Sequence, residues 1–281
     1  MTPMMSINRR QLLGVIALQG MSATSPAAAS RFHLSEIGLQ LYTVRDLLKL
    51  DFEGTLERIA ALGYRQVEFA GILGANVTGT YSLLRKLNLT APSLHVDYTT
   101  LQQDAEASFD TARALHAHFV VCSSVDEASR RSVTDWKMIC ENLNNIGKRA
   151  ARTGLTLAYH NHDFEFAQSS DGVRPFDLLL SRTDERFVAF ELDTYWAKKG
   201  KIDPVAFLRV HSSRFRLLHL KDMAPDGTMT ELGAGTIDFR EIIRASLAIG
   251  VRHFFVEQDD AADPLKSIAT SIAYLQQNKR K

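Results

Sequence analysis

Four short segments in the second half of the chain share a pattern that restricts its fold. Each begins with a continuous apolar run and turns polar at its C-terminal end. The segments are LTLAYHNHDFEF (155–166), FVAFELDTYW (187–196), FRLLHLKDM (215–223) and HFFVEQDD (253–260). Continuous apolar runs are typical of strands buried on both faces of a parallel sheet. The polar ends of such strands lie along one edge of the sheet.

Strand-like and amphipathic segments alternate along the rest of the chain. The earlier strand candidates are 37–42, 66–70, 90–96 and 118–122, and the helical candidates are 52–62, 83–87, 105–117, 136–153, 175–181, 204–211, 239–249 and 264–277. Eight such units predict an α/β fold whose parallel sheet closes, a (β/α)8 TIM barrel. An open doubly wound sheet is the alternative. It is disfavoured because no glycine-rich βα turn of the dinucleotide or P-loop kind occurs.

The N-terminus carries the features of a removable leader. Arg9 and Arg10 precede a short apolar stretch, and 27–29 is a run of alanines where a signal peptidase could cut. We therefore predict a twin-arginine signal peptide at residues 1–30 and a single TIM-barrel catalytic domain at 31–281. The apolar stretch is too short and interrupted to form a stable membrane anchor. The predicted location is periplasmic or secreted, and a chance amphipathic N-terminus is the alternative.

Charge and cysteine content exclude several classes of partner. The formal net charge is +1 and no basic block occurs, so nothing favours nucleic acid as a partner. Cys122 and Cys140 form neither a CxxC motif nor a disulfide framework, and small buried hydrophobic residues are the simpler interpretation. A single bridge between them is the alternative. A helix-rich barrel exterior permits a homo-oligomer without requiring one.

The polar ends of the four late segments supply candidate metal ligands. His160, Asp193, His219 and Glu257 each follow an apolar run. In a (β/α)8 barrel the C-terminal ends of the strands share one rim, and active sites lie there. We therefore expect these four side chains to converge although they are far apart in sequence.

The motifs together resemble the sugar phosphate isomerase/epimerase family, with its xylose isomerase-like TIM barrel, in its exported branch. The matching motifs are YHNHDFEF (159–166), ELDTYW (191–196), LHLKD (218–222), GAGTID (233–238) and VEQ (256–258). The resemblance implies a divalent ion, manganese, cobalt, magnesium or zinc, held in the ketose epimerases by Glu, Asp, His and Glu on the last four strands. Asp193, His219 and Glu257 match the second, third and fourth of these ligands.

The first ligand position departs from that family pattern. Counted from Gly154, the position of the family's first glutamate falls on His160. Neutral imidazole is a good donor to these ions, so His160 could replace the carboxylate directly. Glu165 could instead fold back to supply one, and His162 is a third candidate.

The expected chemistry is removal of a proton next to a carbonyl. A divalent ion acting as a Lewis acid would stabilise the resulting enediolate. Glu257 or a rim histidine such as His160 is the candidate base, and Lys221 could steady negative charge on oxygen. A sugar isomerase or epimerase is the first interpretation. Because His160 breaks the symmetry of two facing carboxylates, a lyase acting on 3-keto-glycosides or keto-inositols is the alternative.

Five further residues are candidate contacts for a carbohydrate substrate: Tyr42, Glu68, His95, His162 and Trp196. Each has a structural alternative: the aromatic rings could belong to the core, His95 could be hydrogen-bonded, and Glu68 could be paired.

Neighbouring residues have further candidate roles. Lys221 and Asp222 could form a plain ion pair, and Glu191 should point to the same side of its strand as Asp193. Trp196 lies where the related DNA-repair endonucleases carry a further metal-binding histidine, which disfavours a multinuclear zinc site. A DNA-repair endonuclease should also show a basic face. A non-catalytic sugar-binding barrel would not need metal ligands on four strands.

Overall fold

The computed structural model describes residues 36–71, 74, 76–169 and 172–280. Eight parallel strands close into a barrel in the order β1-β10-β7-β6-β5-β4-β3-β2. The strands are β1 (Gly38–Gln40), β2 (Gln66–Ala70), β3 (Thr90–Val96), β4 (Phe119–Cys122), β5 (Thr156–His160), β6 (Val188–Asp193), β7 (Phe215–Leu220) and β10 (His253–Val256), with a small hairpin of β8 (Asp222–Met223) and β9 (Met229–Thr230) after β7. The prediction of a (β/α)8 barrel is confirmed.

Helices alternate with the strands and cover the outside of the barrel. They are α1 (Arg45–Leu50), α2 (Phe52–Leu62), α3 (Val77–Lys86), α4 (Tyr98–Ala114), α5 (Val133–Arg152), α6 (Pro175–Arg182), α7 (Thr194–Lys199), α8 (Pro204–Val210), α9 (Phe239–Ala248) and α10 (Pro264–Arg280). Helix α3 is twice the length expected, because its first turns are polar and carry no apolar periodicity. A short 3-10 helix at Leu41–Val44 replaces the predicted end of the first strand.

Helix α7 was not expected, since 187–196 was predicted as one strand-like segment. Strand β6 ends at Asp193, whose side chain accepts a hydrogen bond from the backbone N–H of Trp196. A carboxylate in that position is a helix N-cap and fixes the change from strand to helix. Asp193 is therefore held rigidly at the rim of the barrel.

The interior of the barrel has an apolar floor and a polar layer above it. The floor consists of Val121, Ala158, Ala189, Leu217 and Phe255. Alternate residues of a strand point to the same side, so the next inward positions along the chain follow at i+2. On β5, β6 and β7 these are His160, Glu191 and His219, and just after β10 it is Glu257. The polar layer is therefore a direct result of the strand period.

Three further predictions concern the leader, membrane anchoring and the two cysteines. The leader at 1–30 lies outside the described residues. Among the residues described, no helix is long and apolar enough to cross a membrane. Cys122 and Cys140 are both free and buried, which agrees with their interpretation as small core residues.

Candidate metal centre and active site

The four side chains expected to converge do so. His160, Asp193, His219 and Glu257 are all buried and offer one donor atom each, and these atoms lie within 4.8 Å of one another. They come from the C-terminal ends of β5, β6, β7 and β10, which are consecutive in the barrel order. The closure of the sheet therefore assembles a mixed nitrogen and oxygen donor set from segments about thirty residues apart.

The orientation of His160 suits a ligand. Its Nδ1 lies 3.2 Å from the carbonyl oxygen of Ser123, to which an Nδ1–H can donate. That bond leaves the lone pair on Nε2, which has no hydrogen-bond partner and lies 3.5 Å from Oδ2 of Asp193. Burial lowers the pKa of His160, so the ring is neutral near pH 7. A neutral imidazole with a free, buried Nε2 is ready to bind a cation.

The two carboxylate oxygens of Asp193 have different roles. Oδ1 caps helix α7 at Trp196, whereas the buried Oδ2 has no hydrogen bond and lies 3.2 Å from Nζ of Lys221. Burial alone would raise the pKa of Asp193, but the charge of Lys221 and the neighbouring His160 together outweigh it and lower that pKa. The Asp193 carboxylate is therefore ionised.

His219 lies at the centre of the polar layer. Its Nδ1 is 2.8 Å from Oε2 of Glu257 and its Nε2 is 2.6 Å from Oε2 of Glu68. Burial opposes protonation of the ring, but Glu191 and Glu257 outweigh it and raise the pKa of His219 well above its ordinary value. The field around this ring therefore favours a cation, whether a proton or a metal ion.

Lys221 supplies the fixed positive charge of the site. Its Nζ lies 2.8 Å from Glu257, 3.2 Å from Asp193 and 3.0 Å from Asp259. Burial would lower the pKa of this ammonium, but Asp193 and Glu257 raise it instead. The alternative ion pair with Asp222 is not formed.

Asp222 has a structural role. Its carboxylate accepts backbone N–H bonds from Gly233 at 2.9 Å, and from Gly235 and Ile237 at 3.1 Å each. The glycine-rich loop is thereby shaped around a carboxylate of the protein itself. Its N–H groups are occupied, so the loop is no cradle for an external anion.

Of the three candidates for the first metal ligand, Glu165 lies outside the donor set in the structure. One of its oxygens accepts a hydrogen bond from the hydroxyl of Tyr159 at 2.7 Å, and the other accepts one from the N–H of His162 at 2.7 Å. Tyr159 and His160 are adjacent on β5 and so point to opposite sides of the sheet. Glu165 therefore lies with Tyr159 in the outer core, and His160 is the candidate that joins Asp193, His219 and Glu257.

A cavity of about 670 Å³ opens above the donor set. Four of the five predicted substrate contacts line it, namely Tyr42, His95, His162 and Trp196, and so do His160, Lys221 and Glu257. Its volume lies within the range of small-molecule sites. The indole of Trp196 and the ring of Tyr42 offer apolar faces, while a half-buried His162 presents an Nδ1 without a partner. Burial lowers the pKa of His162 to about 3, so it is neutral.

Glu68 is the predicted substrate contact that does not reach the cavity. It is fully buried, and its Oε2 accepts a hydrogen bond from Nε2 of Gln40 at 2.8 Å and lies 3.2 Å from Nε2 of His95. These contacts fit the structural alternative for Glu68, a paired carboxylate, and its partners lie beneath the cavity.

Sequence reasoning missed Asp259, which lines the cavity next to Lys221. Burial and the neighbouring charge of Glu257 raise the pKa of Asp259 to about 6. Its position two residues after Glu257 was the available signal. Because it follows the end of β10 in a loop, strand periodicity could not indicate where its side chain points.

The donor set fits a divalent cation. Two imidazoles and two carboxylates are ligands that zinc and its first-row neighbours accept. The buried Nε2 of His160 and Oδ2 of Asp193 have no hydrogen bond, and buried polar atoms of this kind normally have a partner. Lys221 alone does not neutralise the carboxylates that it contacts, so a further positive charge belongs here.

The comparisons with known proteins agree with the fold. Residues 56–278 match the family described as xylose isomerase-like TIM barrel, which is most of the chain. The chain therefore belongs to the xylose isomerase-like TIM barrel family.

The chain is also similar to individual proteins and solved structures. The chain is 31% identical over 167 residues to an inosose dehydratase of Bacillus velezensis, covering 50% of this chain and 54% of that protein. It thus spans about half the length of the curated relatives that it matches. A sugar phosphate isomerase/epimerase structure from Parabacteroides distasonis superposes with a TM-score of 0.74 at 25% identity, covering 90% of this chain and 98% of the other. An IOLI protein with a bound zinc atom has a TM-score of 0.67 at 14% identity, covering 87% and 98%.

Proposed function

We propose that this protein is a divalent-metal-dependent lyase that eliminates a β-substituent from a cyclic keto-polyol, such as a keto-inositol or a 3-keto-glycoside. The observation that carries the proposal is the unequal distribution of groups around the cavity. Among the carboxylates that line the cavity, Glu257 and Asp259 contact Lys221 at the β10 end, whereas Asp97 and Asp104 accept hydrogen bonds from backbone N–H groups of helix α4. The three histidines His95, His160 and His162 lie on the side of β3 and β5.

This asymmetry favours a reaction on one face of the substrate. Epimerisation through two carboxylates needs one to remove the proton and the other to return it on the opposite face. Here the position of the second carboxylate is taken by His160, which is neutral and directed at Asp193. Removal of a proton by one carboxylate, followed by departure of a neighbouring group, needs no second base across the ring.

The roles of the chain's own groups follow from their positions. His160, Asp193, His219 and Glu257 would hold the divalent ion, which when bound supplies Lewis acidity to a carbonyl oxygen. Glu257 lies at the cavity and is the candidate base for the proton of the α-carbon. The C–O bond at the β-carbon then breaks, and the leaving oxygen takes a proton and departs as water or an alcohol. The remaining skeleton is an enone.

Lys221 and Asp259 support the charge changes of this reaction. Lys221 stays protonated among three carboxylates, so its ammonium can stabilise negative charge that develops on a substrate oxygen. Asp259 contacts Lys221 and is partly exposed to the cavity. It is the candidate acid that protonates the leaving oxygen.

The names of the matched relatives also support a lyase. The matched proteins include inosose dehydratases, which by name remove water from a keto-inositol. The match covers about half of each chain, so it supports the reaction class without fixing the substrate. The cavity has room for a ring that bears a substituent, which keeps glycosides among the candidates.

A second candidate is a sugar isomerase or epimerase. It is favoured by the Parabacteroides distasonis structure, which covers nearly the whole barrel at 25% identity. Both reactions begin with loss of a proton next to a carbonyl, and they differ in what happens afterwards.

Product analysis tests the proposal. Protein reconstituted with Mn²⁺ or Zn²⁺ is incubated with a keto-inositol, a 3-keto-glucoside and a panel of ketoses, and products are followed by proton NMR and ultraviolet absorbance. The lyase predicts an enone with release of water or aglycone from a keto-polyol. A rearranged sugar with an intact skeleton would favour the second candidate, and no reaction with any substrate would refute both.

The control variants separate chemistry from folding. Glu257→Gln keeps the size of the side chain and removes the base, and we expect a rate loss of about 10²-fold or more. Glu165→Gln changes a buried glutamate outside the cavity and should keep most of the activity.

A further inference from the structure

A second ring of donor atoms lies in the polar layer, beneath the cavity. Oε2 of Glu68 lies 2.6 Å from Nε2 of His219 and 3.2 Å from Nε2 of His95. Oε2 of Glu191 lies 2.7 Å from Nε2 of His95 and 3.2 Å from Nε2 of His219. Two carboxylate oxygens and two imidazole nitrogens thus alternate around one small space.

The two carboxylates of this ring lack a fixed counter-charge. Glu68 and Glu191 are fully buried, and no lysine or arginine within the described part of the chain forms an ion pair with either. Oε1 of Glu68 and Oε1 of Glu191 are also buried without a hydrogen-bond partner. Ionised carboxylates are costly to bury unless they are paired or coordinate a metal.

The imidazoles of His95 and His219 cannot neutralise both carboxylates of this ring once an ion is bound at the first donor set. A histidine that ligates a metal through one nitrogen does so without a proton on that nitrogen. If Nδ1 of His219 holds the first ion, as in the proposed function, His219 is no longer a free imidazolium. His95 alone then faces both Glu68 and Glu191.

We propose that Glu68, His95, Glu191 and Nε2 of His219 bind a second divalent transition-metal ion. His219 then bridges two ions through its two ring nitrogens as an imidazolate, and its remaining ring proton is released to solvent when the second ion binds. Imidazole nitrogen and carboxylate oxygen are ligands of zinc and its neighbours, with bonds of about 2.0–2.2 Å. Tetrahedral bonds of that length separate neighbouring donor atoms by about 3.3–3.6 Å. The ring, with neighbouring donors 2.6–3.2 Å apart, therefore has to widen by less than about 1 Å to hold an ion.

The second site makes no use of position 196, so the presence of Trp196 does not argue against it. It is reached from the cavity, because His95 lines the cavity wall and belongs to the ring as well. The ring side chains come from β2, β3, β6 and β7, and on each pair of neighbouring strands the two ring residues stand two positions apart in register. His95 pairs with Ala70 on β2, and Glu191 pairs with Leu217 on β7.

Metal stoichiometry tests the inference. Full-length protein is loaded with Zn²⁺, freed of unbound metal by gel filtration and analysed by inductively coupled plasma mass spectrometry. We expect two ions per chain for the wild type, one for Glu191→Gln and one for Glu68→Gln. Glu165→Gln, a buried glutamate outside both donor sets, should retain two. Circular dichroism checks that each variant is folded, and two independent variants guard against one that does not fold.

The outcomes separate this inference from the proposed function on which it rests. One ion in the wild type, unchanged in Glu191→Gln and lost in Asp193→Asn, overturns the second site and leaves the first intact. No ion in the folded wild type overturns both.

A spectroscopic readout tests the bridge itself. Two Cu²⁺ ions joined through one imidazole couple magnetically, so the electron paramagnetic resonance of the copper-loaded wild type should integrate to less than its total copper. Glu191→Gln should restore the full intensity per ion. Full intensity in a wild type that carries two ions would contradict the bridging role of His219.

Discussion

At the scale of single residues, the barrel rim gives similar side chains different roles. Glu257 and Glu165 both follow an apolar strand, yet one lines the cavity and the other bonds to Tyr159 and His162 behind the sheet. The difference arises because Glu257 directly follows the last residue of β10 at an inward position, whereas Glu165 lies in a short 3-10 helix, Phe164–Phe166, beyond the end of β5. Two predictions follow from this division, one for each kind of carboxylate.

Asp193→Asn should lose metal while keeping the fold. The amide oxygen of asparagine can still cap helix α7 at Trp196, since asparagine is as good an N-cap as aspartate. The charged donor is lost, however, and we expect metal affinity to fall by at least about tenfold, by analogy with weaker changes around metal ligands. Calorimetric titration with Zn²⁺ measures this. Unchanged affinity would remove Asp193 from the donor set.

Glu165→Gln should become relatively more stable as the pH rises. Burial raises the pKa of Glu165 from about 4.5 to about 7, so its protonated form is favoured in the folded state. Its contribution to stability is complete below pH 4.5 and is lost as the pH rises through 7. Glutamine mimics the protonated form at every pH. Between pH 4 and 8, the difference in unfolding free energy between variant and wild type should therefore change by about 3 kcal/mol in favour of the variant.

Urea unfolding at several pH values measures this difference, with exposed Glu57→Gln as the matched control. A constant difference between Glu165→Gln and wild type across the range would show that folding does not raise the pKa of Glu165.

At the scale of elements, helix α5 packs so close to the sheet that position 147 must be a glycine. A Cβ at Gly147 would lie 2.4 Å from the carbonyl oxygen of Phe187, a backbone atom next to β6. Helix α5 can therefore pack against the barrel only where that side chain is absent.

Gly147→Ala should be destabilising, although alanine favours an isolated helix by about 1 kcal/mol. Overpacking against backbone costs about 1–3 kcal/mol, and Gly147→Val should cost more than Gly147→Ala. Denaturant midpoints of the two variants measure the effect. If Gly147→Ala were more stable than wild type, helix propensity would outweigh packing and this contact would be looser than described.

Elements differed in how well the sequence predicted them. The late strands were recognisable because each is a continuous apolar run that ends in a polar residue. Helix α3 was largely missed because its N-terminal turns are polar and capped by Asn76, a signal that is local and easily overlooked. Helix α7 was missed because its start depends on the Asp193 cap.

The site was predictable to the extent that strand period determines it. His160, Asp193, His219 and Glu257 converge because each stands at an inward position of the rim. The place of Glu165 depends on the conformation of the turn after β5, and the partners of Glu68 come from strands far away in sequence. Neither could be read from local pattern.

At the scale of the whole molecule, export remains a proposal that rests on the leader. Replacement of Arg9 and Arg10 by lysine should retain the protein in the cytoplasm of an expressing bacterium, because the twin-arginine pair is the feature read by that route. Cell fractionation with antibody detection measures the location, and mass spectrometry of the exported form should place the new N-terminus near residues 27–31. Unchanged export of the double variant would refute the twin-arginine interpretation.

The central claim is that the cavity removes a proton from the carbon next to a carbonyl. Its most direct test is the fate of deuterium placed on that carbon of a keto-polyol, followed by mass spectrometry of the product in ordinary water with metal-loaded enzyme. The account predicts loss of the label during turnover, and slow or no loss with Glu257→Gln. A product that keeps all of its deuterium at that carbon would contradict the account.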